Sequence, residues 1–254
     1  MDLAQMPRAA GLVRGARGAA RWHPGAAAEA LSELFAAGGD GGGTGMGLAL
    51  LGEALRQREE GGAEEHPVLW VQDAASIRLA GRPYRPGLPA ALRDRVLHVA
   101  AKTCADALFA LEEGLRCRDL AAVVGEIAGN PRALDFTASR RLALAAERHG
   151  TLLLLIRHDA RADLSAARLR WRAVSAVSAL NCWDRTAPGA PRWQGQLFRA
   201  RAHAPGTWLL GEEKGRLAAW AVDAAYTGAG MGTDMAAAQP AGARLSPAGE
   251  RASA

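Results

Sequence analysis

A glycine-rich run near residue 40 carries the residue types and spacing best suited to chemistry. Its residues are Gly39, Asp40, Gly41, Gly42, Gly43, Thr44, Gly45 and Met46. Glycine loops between a strand and a helix bind phosphate through their backbone N–H groups. The working form, GxxxxGK[ST], adds a lysine for the outer phosphates and a hydroxyl for magnesium. The run is therefore a candidate phosphate loop, although an ordinary flexible turn before a helix would have the same composition.

The candidate loop departs from the working form at its two chemical positions. In the frame that begins at the first glycine, Gly45 stands where the lysine is required and Met46 where the hydroxyl is required. Neither lysine of the chain, Lys102 or Lys214, is near the run, and Asp40 adds a negative charge where a phosphate would approach. We predict a vestigial loop, whose shape is kept and whose cation is lost.

Arginines and neighbouring tryptophans form a second group of candidates, for contact with a partner or with DNA. These residues are Arg140, Arg141, Arg170, Trp171, Arg172, Arg192 and Trp193. In a strand, Arg170 and Arg172 would share one face and Trp171 would lie on the other. Such a row would contact single-stranded DNA through phosphates and stacked bases. The alternative is a tryptophan buried under the sheet with arginines in solvent, and Arg140 and Arg141 are also ordinary charges for a helix face.

Motifs for metal binding and for hydrolysis are absent from the sequence. No HExxH pair and no GxSxG segment occurs, and the three cysteines, Cys104, Cys117 and Cys182, have no CxxC spacing. Zinc sites and nucleophilic triads need those arrangements. We therefore expect no metal, no cofactor and no catalytic residue. An odd number of unspaced cysteines also favours a reducing cytoplasm over a disulfide framework.

The composition indicates one core with irregular ends. The chain has 254 residues, of which 49% are hydrophobic and 22% charged, which excludes a wholly disordered protein. The net charge is +5, which permits a nucleic-acid partner without requiring one. No apolar run approaches the length of a membrane-spanning helix, and no secretory signal is recognisable, so we expect no membrane contact.

Alternating strand and helix patterns predict an α/β fold with a mostly parallel sheet. Apolar runs predict strands at 68–71, 95–99, 120–124 and 152–156. Helical spacing predicts helices over 46–58, 104–116 and 137–148, the last with Thr137 or Ser139 as its N-cap. After residue 165 the pattern changes to short antiparallel strands at 169–174, 192–201 and 207–210. We expect a mobile N-terminal arm over 1–28, a core over 29–215 and a largely disordered tail over 216–254.

Several segments, taken in order, resemble the ImuA family of RecA-like accessory proteins in bacterial DNA-damage mutagenesis. The resemblance covers roughly residues 30–212 and rests on the segments ELFAAGGDGGGTGMGLALL, PVLWVQD, AVVGE, LDFTASRRLALAAE and RWQGQLFRAR. It implies a RecA-like core with a degenerate Walker A loop. It also implies that Gly125 stands at the magnesium-directing aspartate, next to Glu126, and that Ala74 stands at the water-activating glutamate, next to Asp73. Arg157-His158 would replace a polar sensor.

The family resemblance implies a non-catalytic adaptor in error-prone translesion synthesis and the SOS response. The implied partners are an ImuB-type Y-family-like protein, with RecA and an error-prone DnaE-type polymerase as further candidates. The arginine and tryptophan candidates allow a weak DNA contact, and the cysteine pattern favours a cytoplasmic location. Phosphoryl transfer depends on positioning and positive charge, so we expect no useful ATP hydrolysis. Two alternatives stay open at this point: an active RecA-like ATPase or recombination factor, and a SulA-like cell-division inhibitor.

Overall fold

The computed structural model describes residues 20–26, 28–178, 180–181, 183–184 and 186–222. The strands in chain order are β1 (Ala20–Arg21), β2 (Leu31–Ala36), β3 (Val68–Asp73), β4 (Val96–Ala101), β5 (Ala122–Ala128), β6 (Leu152–His158), β7 (Leu169–Ala176), β8 (Arg192–Ala200), β9 (His203–Ala204), β10 (Gly206–Glu213) and β11 (Arg216–Val222). The helices are α1 (Gly42–Glu60), α2 (Ala74–Ala80), α3 (Ala90–Arg93), α4 (Cys104–Arg116) and α5 (Phe136–His149), with a 3-10 turn at Arg85–Gly87.

Nine of these strands form one sheet in the order β11-β10-β8-β7-β2-β6-β5-β3-β4, and β1 pairs with β9 separately. The pairings from β7 to β4 are parallel, and β8, β10 and β11 continue the sheet in antiparallel pairs. The predicted α/β fold with an antiparallel C-terminal extension is confirmed. The sequence places β7 wholly in that extension, whereas the structure also pairs it in parallel with β2.

Continuous apolar runs explain the central strands. All seven residues of β6, LLLLIRH, are buried, and β5 is nearly as enclosed. A strand covered on both faces needs apolar residues at consecutive positions rather than at alternate ones. The predicted strands at 68–71, 95–99, 120–124 and 152–156 all match strands of the structure, with ends that differ by at most four residues.

Apolar side chains cover the sheet on both faces. On one face, α1 packs with Leu34, Leu154 and Trp171 among others. On the other face, α4 and α5 pack over β3, β5 and β6, with Leu111 and Leu142 fully buried. The α1 side and the α4–α5 side are used as names for these two faces below.

Local capping fixes where α4 and α5 begin. At α4, the Thr103 hydroxyl accepts the Asp106 N–H at 3.1 Å and the Asp106 carboxylate accepts the Thr103 N–H at 3.1 Å, a capping box that confirms the predicted start. At α5, the carboxylate of Asp135 accepts the Ala138 N–H at 2.7 Å. The predicted caps, Thr137 and Ser139, are therefore wrong, because the helix begins one residue earlier than the pattern indicated.

The ordered chain extends beyond the predicted core at both ends. Trp22 lies within the predicted arm, yet its ring is buried edge-on against Trp171 and Trp208, with centroids 4.8 and 5.6 Å apart. The sequence predicts that residues 216–222 belong to the disordered tail, which is wrong, because they form β11. Residues 1–19 and 223–254 lie outside the described residues, so the expectations of mobility there stay predictions.

Candidate functional site

The glycine run follows β2 at the carboxyl edge of the parallel strands, where open α/β sheets bind their ligands. The structure makes the loop shorter than the sequence indicates. β2 ends at Ala36 and α1 begins at Gly42, so Gly42, Gly43, Thr44, Gly45 and Met46 belong to the first turns of the helix. The connecting loop consists of residues 37–41 alone.

The carboxylate of Asp40 occupies the amino-terminal end of α1. It accepts the backbone N–H of Gly42 at 2.8 Å, the backbone N–H of Ser175 at 2.8 Å and the hydroxyl of Ser175. Burial acts to raise the pKa of Asp40, but these hydrogen bonds outweigh it and hold the pKa below its usual value. The chain thus supplies its own anion at the helix terminus, where a phosphate loop would bind a phosphate.

Gly45 and Met46, the positions predicted to lack the lysine and the hydroxyl, do not face this end of the helix. A Cβ atom added at Gly45 would lie 3.0 Å from the indole nitrogen of Trp193, and Met46 is fully buried in the core on the α1 side. Gly43, the residue before Thr44, lies so close to Ala36 that an added Cβ would overlap the Ala36 side chain. The frame that begins at Gly39 is therefore corrected, because side-chain direction and not motif counting decides which residues face the loop.

Thr44 and Glu126 form the centre of a buried polar chain at the loop. The Thr44 hydroxyl donates to Glu126 Oε1 at 2.7 Å, and the side-chain amide of Gln72 donates to the other Glu126 oxygen. Gln72 Oε1 lies 2.9 Å from His98 Nε2, which continues the chain to β4. A loop hydroxyl paired with an acid from another strand of the sheet is the arrangement that holds magnesium in phosphate-loop enzymes. Sequence reasoning missed this pair.

His158 also faces Glu126 and completes the enclosure of that carboxylate. Its Nε2 lies 3.4 Å from Glu126 Oε1 without hydrogen-bond alignment, and the ring is 1% exposed. Burial acts to raise the pKa of Glu126, but the His158 ring and the hydrogen bonds from Thr44 and Gln72 hold it below its usual value. Glu126 is accordingly a buried carboxylate stabilised in its charged form.

Gly125 is not the position that faces the loop. A Cβ atom added there would lie 2.9 Å from both Leu111 and Leu155, inside the apolar layer on the α4–α5 side. Strand alternation places the next residue, Glu126, on the opposite side, towards Thr44. The implied loss of an acid at Gly125 is therefore corrected. The acidic side chain that faces the loop is Glu126. The alternation of side chains along β5 is the sequence pattern that indicates it.

The strand end at β3 uses its acid for structure. Asp73 is the N-cap of α2 and accepts the Ser76 N–H at 2.7 Å, and Ala74 is the first residue of that helix. A carboxylate held as a helix cap has its lone pairs directed to backbone N–H groups. Asp73 therefore fixes the start of α2, and Ala74 has no side-chain group that could activate water.

A second buried charge cluster lies on the α4–α5 side of β2, β6 and β7. The Arg170 guanidinium donates to Glu33 Oε2 at 2.7 Å, and Arg157 Nη1 lies 3.9 Å from the other Glu33 oxygen. Burial acts to lower the pKa of the Arg157 guanidinium, and this outweighs the charge of Glu33. The ion pairs join three neighbouring strands, so this cluster fixes their ends, and Arg170 is removed from the predicted contact surface.

The other six predicted arginine and tryptophan candidates separate into three groups. Trp171 and Trp193 are buried on the α1 side, as expected for tryptophans that pack under the sheet and do not contact DNA. Arg140 and Arg141 are exposed on α5, and Arg141 pairs with Glu112 of α4. Arg172 and Arg192 remain on the other face of the sheet, away from both tryptophans. The candidate segments therefore do not form one surface.

The described residues contain neither a candidate membrane span nor a candidate metal site. No helix there is both long enough and apolar enough to cross a bilayer. In the same residues, no group of three or more histidine, cysteine, aspartate or glutamate side chains is placed to hold a metal ion.

Comparison with known proteins gives two relatives. Protein ImuA of Caulobacter vibrioides (strain NA1000 / CB15N) and Protein ImuA of Caulobacter vibrioides (strain ATCC 19089 / CIP 103742 / CB 15) are each 35% identical to this chain over 153 residues. The match covers 56% of this chain and 59% of each relative's length. No family model matches the chain. The similarity confirms the resemblance predicted from the sequence segments and supports membership of this chain in the ImuA family.

Proposed function

We propose that this protein is a non-catalytic, RecA-like adaptor in damage-induced mutagenesis, acting in error-prone translesion synthesis and the SOS response. The similarity to proteins named ImuA supports the mutagenesis role. A RecA-like core is supported by the glycine loop after β2 and by the central parallel order β4-β3-β5-β6-β2. We propose a cytoplasmic location on the cysteine pattern.

The observation that carries the adaptor proposal is the Asp40 carboxylate at the start of α1. The N–H donors of Gly42 and Ser175 are already engaged by this anion. A triphosphate would have to displace Asp40, and it would approach a negative charge instead of a lysine. Because phosphoryl transfer depends on positive charge around the transferring group, this loop is poorly suited to hydrolysis.

We propose an ImuB-type Y-family-like protein as the principal partner, with RecA and an error-prone DnaE-type polymerase as further partners. A RecA-like surface without turnover is suited to recognition by proteins that bind RecA geometry. The test is co-purification of the full chain with each purified candidate in turn, with and without Mg·ATP. The adaptor proposal predicts a stable complex with the ImuB-type protein that is unchanged by nucleotide. The proposal would be contradicted if the chain retained neither the ImuB-type protein nor RecA.

The Thr44–Glu126 contact favours a second candidate function, an active RecA-like ATPase. It keeps a hydroxyl and an acid at the loop, 2.7 Å apart. Phosphate release stimulated by DNA, and lost in Thr44→Val and Glu126→Gln, would support this alternative and contradict the adaptor proposal. The adaptor proposal predicts no release above the background of the same preparation without protein.

A further inference from the structure

One face of the C-terminal half of the sheet has side chains in register across four strands. It is called the open sheet face here. Its positions are Arg172, Val174 and Ala176 of β7; Arg192, Gln194 and Gln196 of β8; Thr207, Leu209 and Gly211 of β10; and Ala218, Trp220 and Val222 of β11. Directly paired residues have their side chains on the same side, so the positions form three cross-strand rows.

Contacts confirm that these side chains share one side. The Arg172 guanidinium donates to Gln196 Oε1 at 3.3 Å, and the Arg192 guanidinium lies 5.5 Å from the centre of the Trp220 ring. α1 packs on the opposite side of these strands, against Trp171 and Trp208 among others. α4 and α5 share the side of the open sheet face but pack over β3, β5 and β6. Arg172, Val174 and Gln196 are accordingly exposed, whereas Thr207 is 8% exposed and Gly211 is buried.

The open sheet face carries positive charge and planar groups. Its twelve positions, all within the described residues, include two arginines and no carboxylate. Arg172 lies 4.2 Å from the ring centre of Phe198, which is the extra residue at the irregularity between β7 and β8. Guanidinium planes and aromatic rings are the groups on which unpaired bases stack, and arginines also contact phosphates.

The two arginine–aromatic pairs are separated by a distance that suits a short single strand. β8 and β11 are two strand spacings apart, about 10 Å. Phe198 lies four residues along β8 from the row that contains Trp220, about 13 Å. At a rise of about 3.4 Å per stacked nucleotide, the diagonal of about 16 Å corresponds to about five nucleotides, within the range for single-strand-binding folds. The candidate contacts lie on the face of a sheet, which offers unpaired bases a surface for stacking, and no helix of the described residues projects from this face towards a duplex groove.

We infer that the open sheet face binds single-stranded DNA, with Arg172 and Arg192 at the phosphates and with Phe198 and Trp220 in the stacking surface. This goes beyond the adaptor function, which requires only protein partners. It also replaces the predicted set of DNA contacts, because Arg170, Trp171 and Trp193 are buried elsewhere.

The test is fluorescence anisotropy of a labelled thymidine oligonucleotide with the full chain, over a series of salt concentrations. Arg172→Glu/Arg192→Glu is the test variant, and Arg118→Glu, an exposed arginine in the connection before β5, is the control applied singly. We expect the double variant to weaken binding at least about tenfold and to reduce the salt slope by about 1.4, since each single-strand phosphate contact contributes about 0.7. Trp220→Ala should weaken binding while the salt slope stays unchanged, and circular dichroism checks that both variants fold.

Four results of the binding experiment would overturn the inference. They are absence of binding to the oligonucleotide at low salt, equal binding by the wild type and the double variant, tighter binding of duplex DNA or of the matching RNA, and binding that arises only when residues 223–254 are removed. The last result would assign the face to this chain's own C-terminal segment. Sedimentation of the same samples tests whether the open sheet face instead joins two copies of this chain. A dimer that the double variant abolishes, with no oligonucleotide bound, would also contradict the inference.

Discussion

At the scale of single residues, two carboxylates determine the properties of the glycine loop. Asp40 neutralises the N–H groups at the start of α1, and Glu126 binds the hydroxyl of the first helical turn. Both are held in the charged form by hydrogen bonds, although burial opposes the charge in each case. The loop is therefore internally satisfied, and its stability depends on groups that a bound nucleotide would have to displace.

Asp40→Ala should lower the free energy of unfolding by about 1 kcal/mol, the typical net contribution of a hydrogen bond, because its carboxylate accepts the N–H groups of Gly42 and Ser175. Ser175→Ala should lower it less, because the Ser175 backbone N–H still donates to Asp40. The two changes should be less than additive, since they share one contact. Urea unfolding of both single variants and the double variant measures this coupling. Strict additivity would show that the Asp40–Ser175 contact is not formed in solution.

Glu126→Gln should lower stability at neutral pH by roughly 1–3 kcal/mol, because it breaks a buried, charged hydrogen-bond network. The pKa of Glu126 is depressed in the folded protein from a usual value of 4.5. Its charge therefore stabilises the fold above about pH 4.5, and that contribution is lost as the pH falls through the lower, folded pKa.

Urea unfolding at pH 7, 5 and 4 tests the Glu126 prediction. The stability difference between wild type and Glu126→Gln should be constant from pH 7 to 5 and should shrink below about pH 4.5. Thr44→Val is the matched control, because it removes one partner and leaves the carboxylate in place. A difference that grows on acidification would contradict the account of Glu126.

The thiols of Cys104 and Cys117 should differ in reactivity. Burial, followed by the charge of Asp73, raises the pKa of Cys104 to about 11, while Cys117 is exposed. Only the thiolate reacts, so iodoacetamide at pH 8 should modify Cys117 at least about ten times faster than Cys104. Peptide mass spectrometry distinguishes the two sites. Faster modification of Cys104 would show that the start of α4 is more open than described.

At the scale of secondary-structure elements, alternation along β5 decides which residue reaches the loop. Ala122, Val124 and Glu126 face the α1 side, whereas Val123, Gly125 and Ile127 face the α4–α5 side. A motif frame counts positions along the chain and carries no information on side-chain direction. The position that the frame indicates for an acid is therefore one residue away from the acid that the fold uses.

Gly125→Asp should destabilise the protein strongly, by more than about 3 kcal/mol, because it buries a carboxylate against Leu111 and Leu155. Gly125→Ala is the steric control and should cost about 1–3 kcal/mol by overpacking. Urea unfolding of both variants gives the comparison. If position 125 instead faced the loop, Gly125→Asp would keep near-wild-type stability and would be stabilised further by magnesium.

The elements that the sequence predicts well are those with an unbroken pattern. The apolar run of β6 indicates a buried strand, and the spacing and capping box of α4 indicate a helix. Both elements match the prediction closely. β11 was missed because its inward positions include small alanines that give little alternation. Trp22 was missed because its segment is otherwise Ala, Gly and Arg, so its burial depends on Trp171 and Trp208, far along the chain.

The candidate site was predictable in kind and not in detail. Glycines after a strand indicate a phosphate loop, and the lack of a nearby lysine is visible in the sequence. The pairing of Asp40 with Ser175 spans 135 residues, and that of Thr44 with Glu126 spans 82. Contacts of that range depend on strand order, which local spacing does not contain.

At the scale of the whole molecule, the parallel and antiparallel halves of the sheet carry different candidate binding features. The parallel half carries the glycine loop and buried polar networks at its carboxyl edge, and the antiparallel half carries the open sheet face. We propose that the first half preserves a recognisable RecA-like shape and that the second contacts a DNA strand. An adaptor of this kind would bring DNA and a partner protein together without turnover of nucleotide.

The most direct measurement of the central claim is thermal unfolding of the full chain across a micromolar to millimolar titration of Mg·ATP. A ligand at about 100 times its dissociation constant adds about 2.7 kcal/mol to the stability of the state that binds it, enough to raise Tm by several degrees. Because the Asp40 carboxylate already occupies the start of α1, we predict no change in Tm. A saturable rise in Tm that Thr44→Val abolishes would contradict the account.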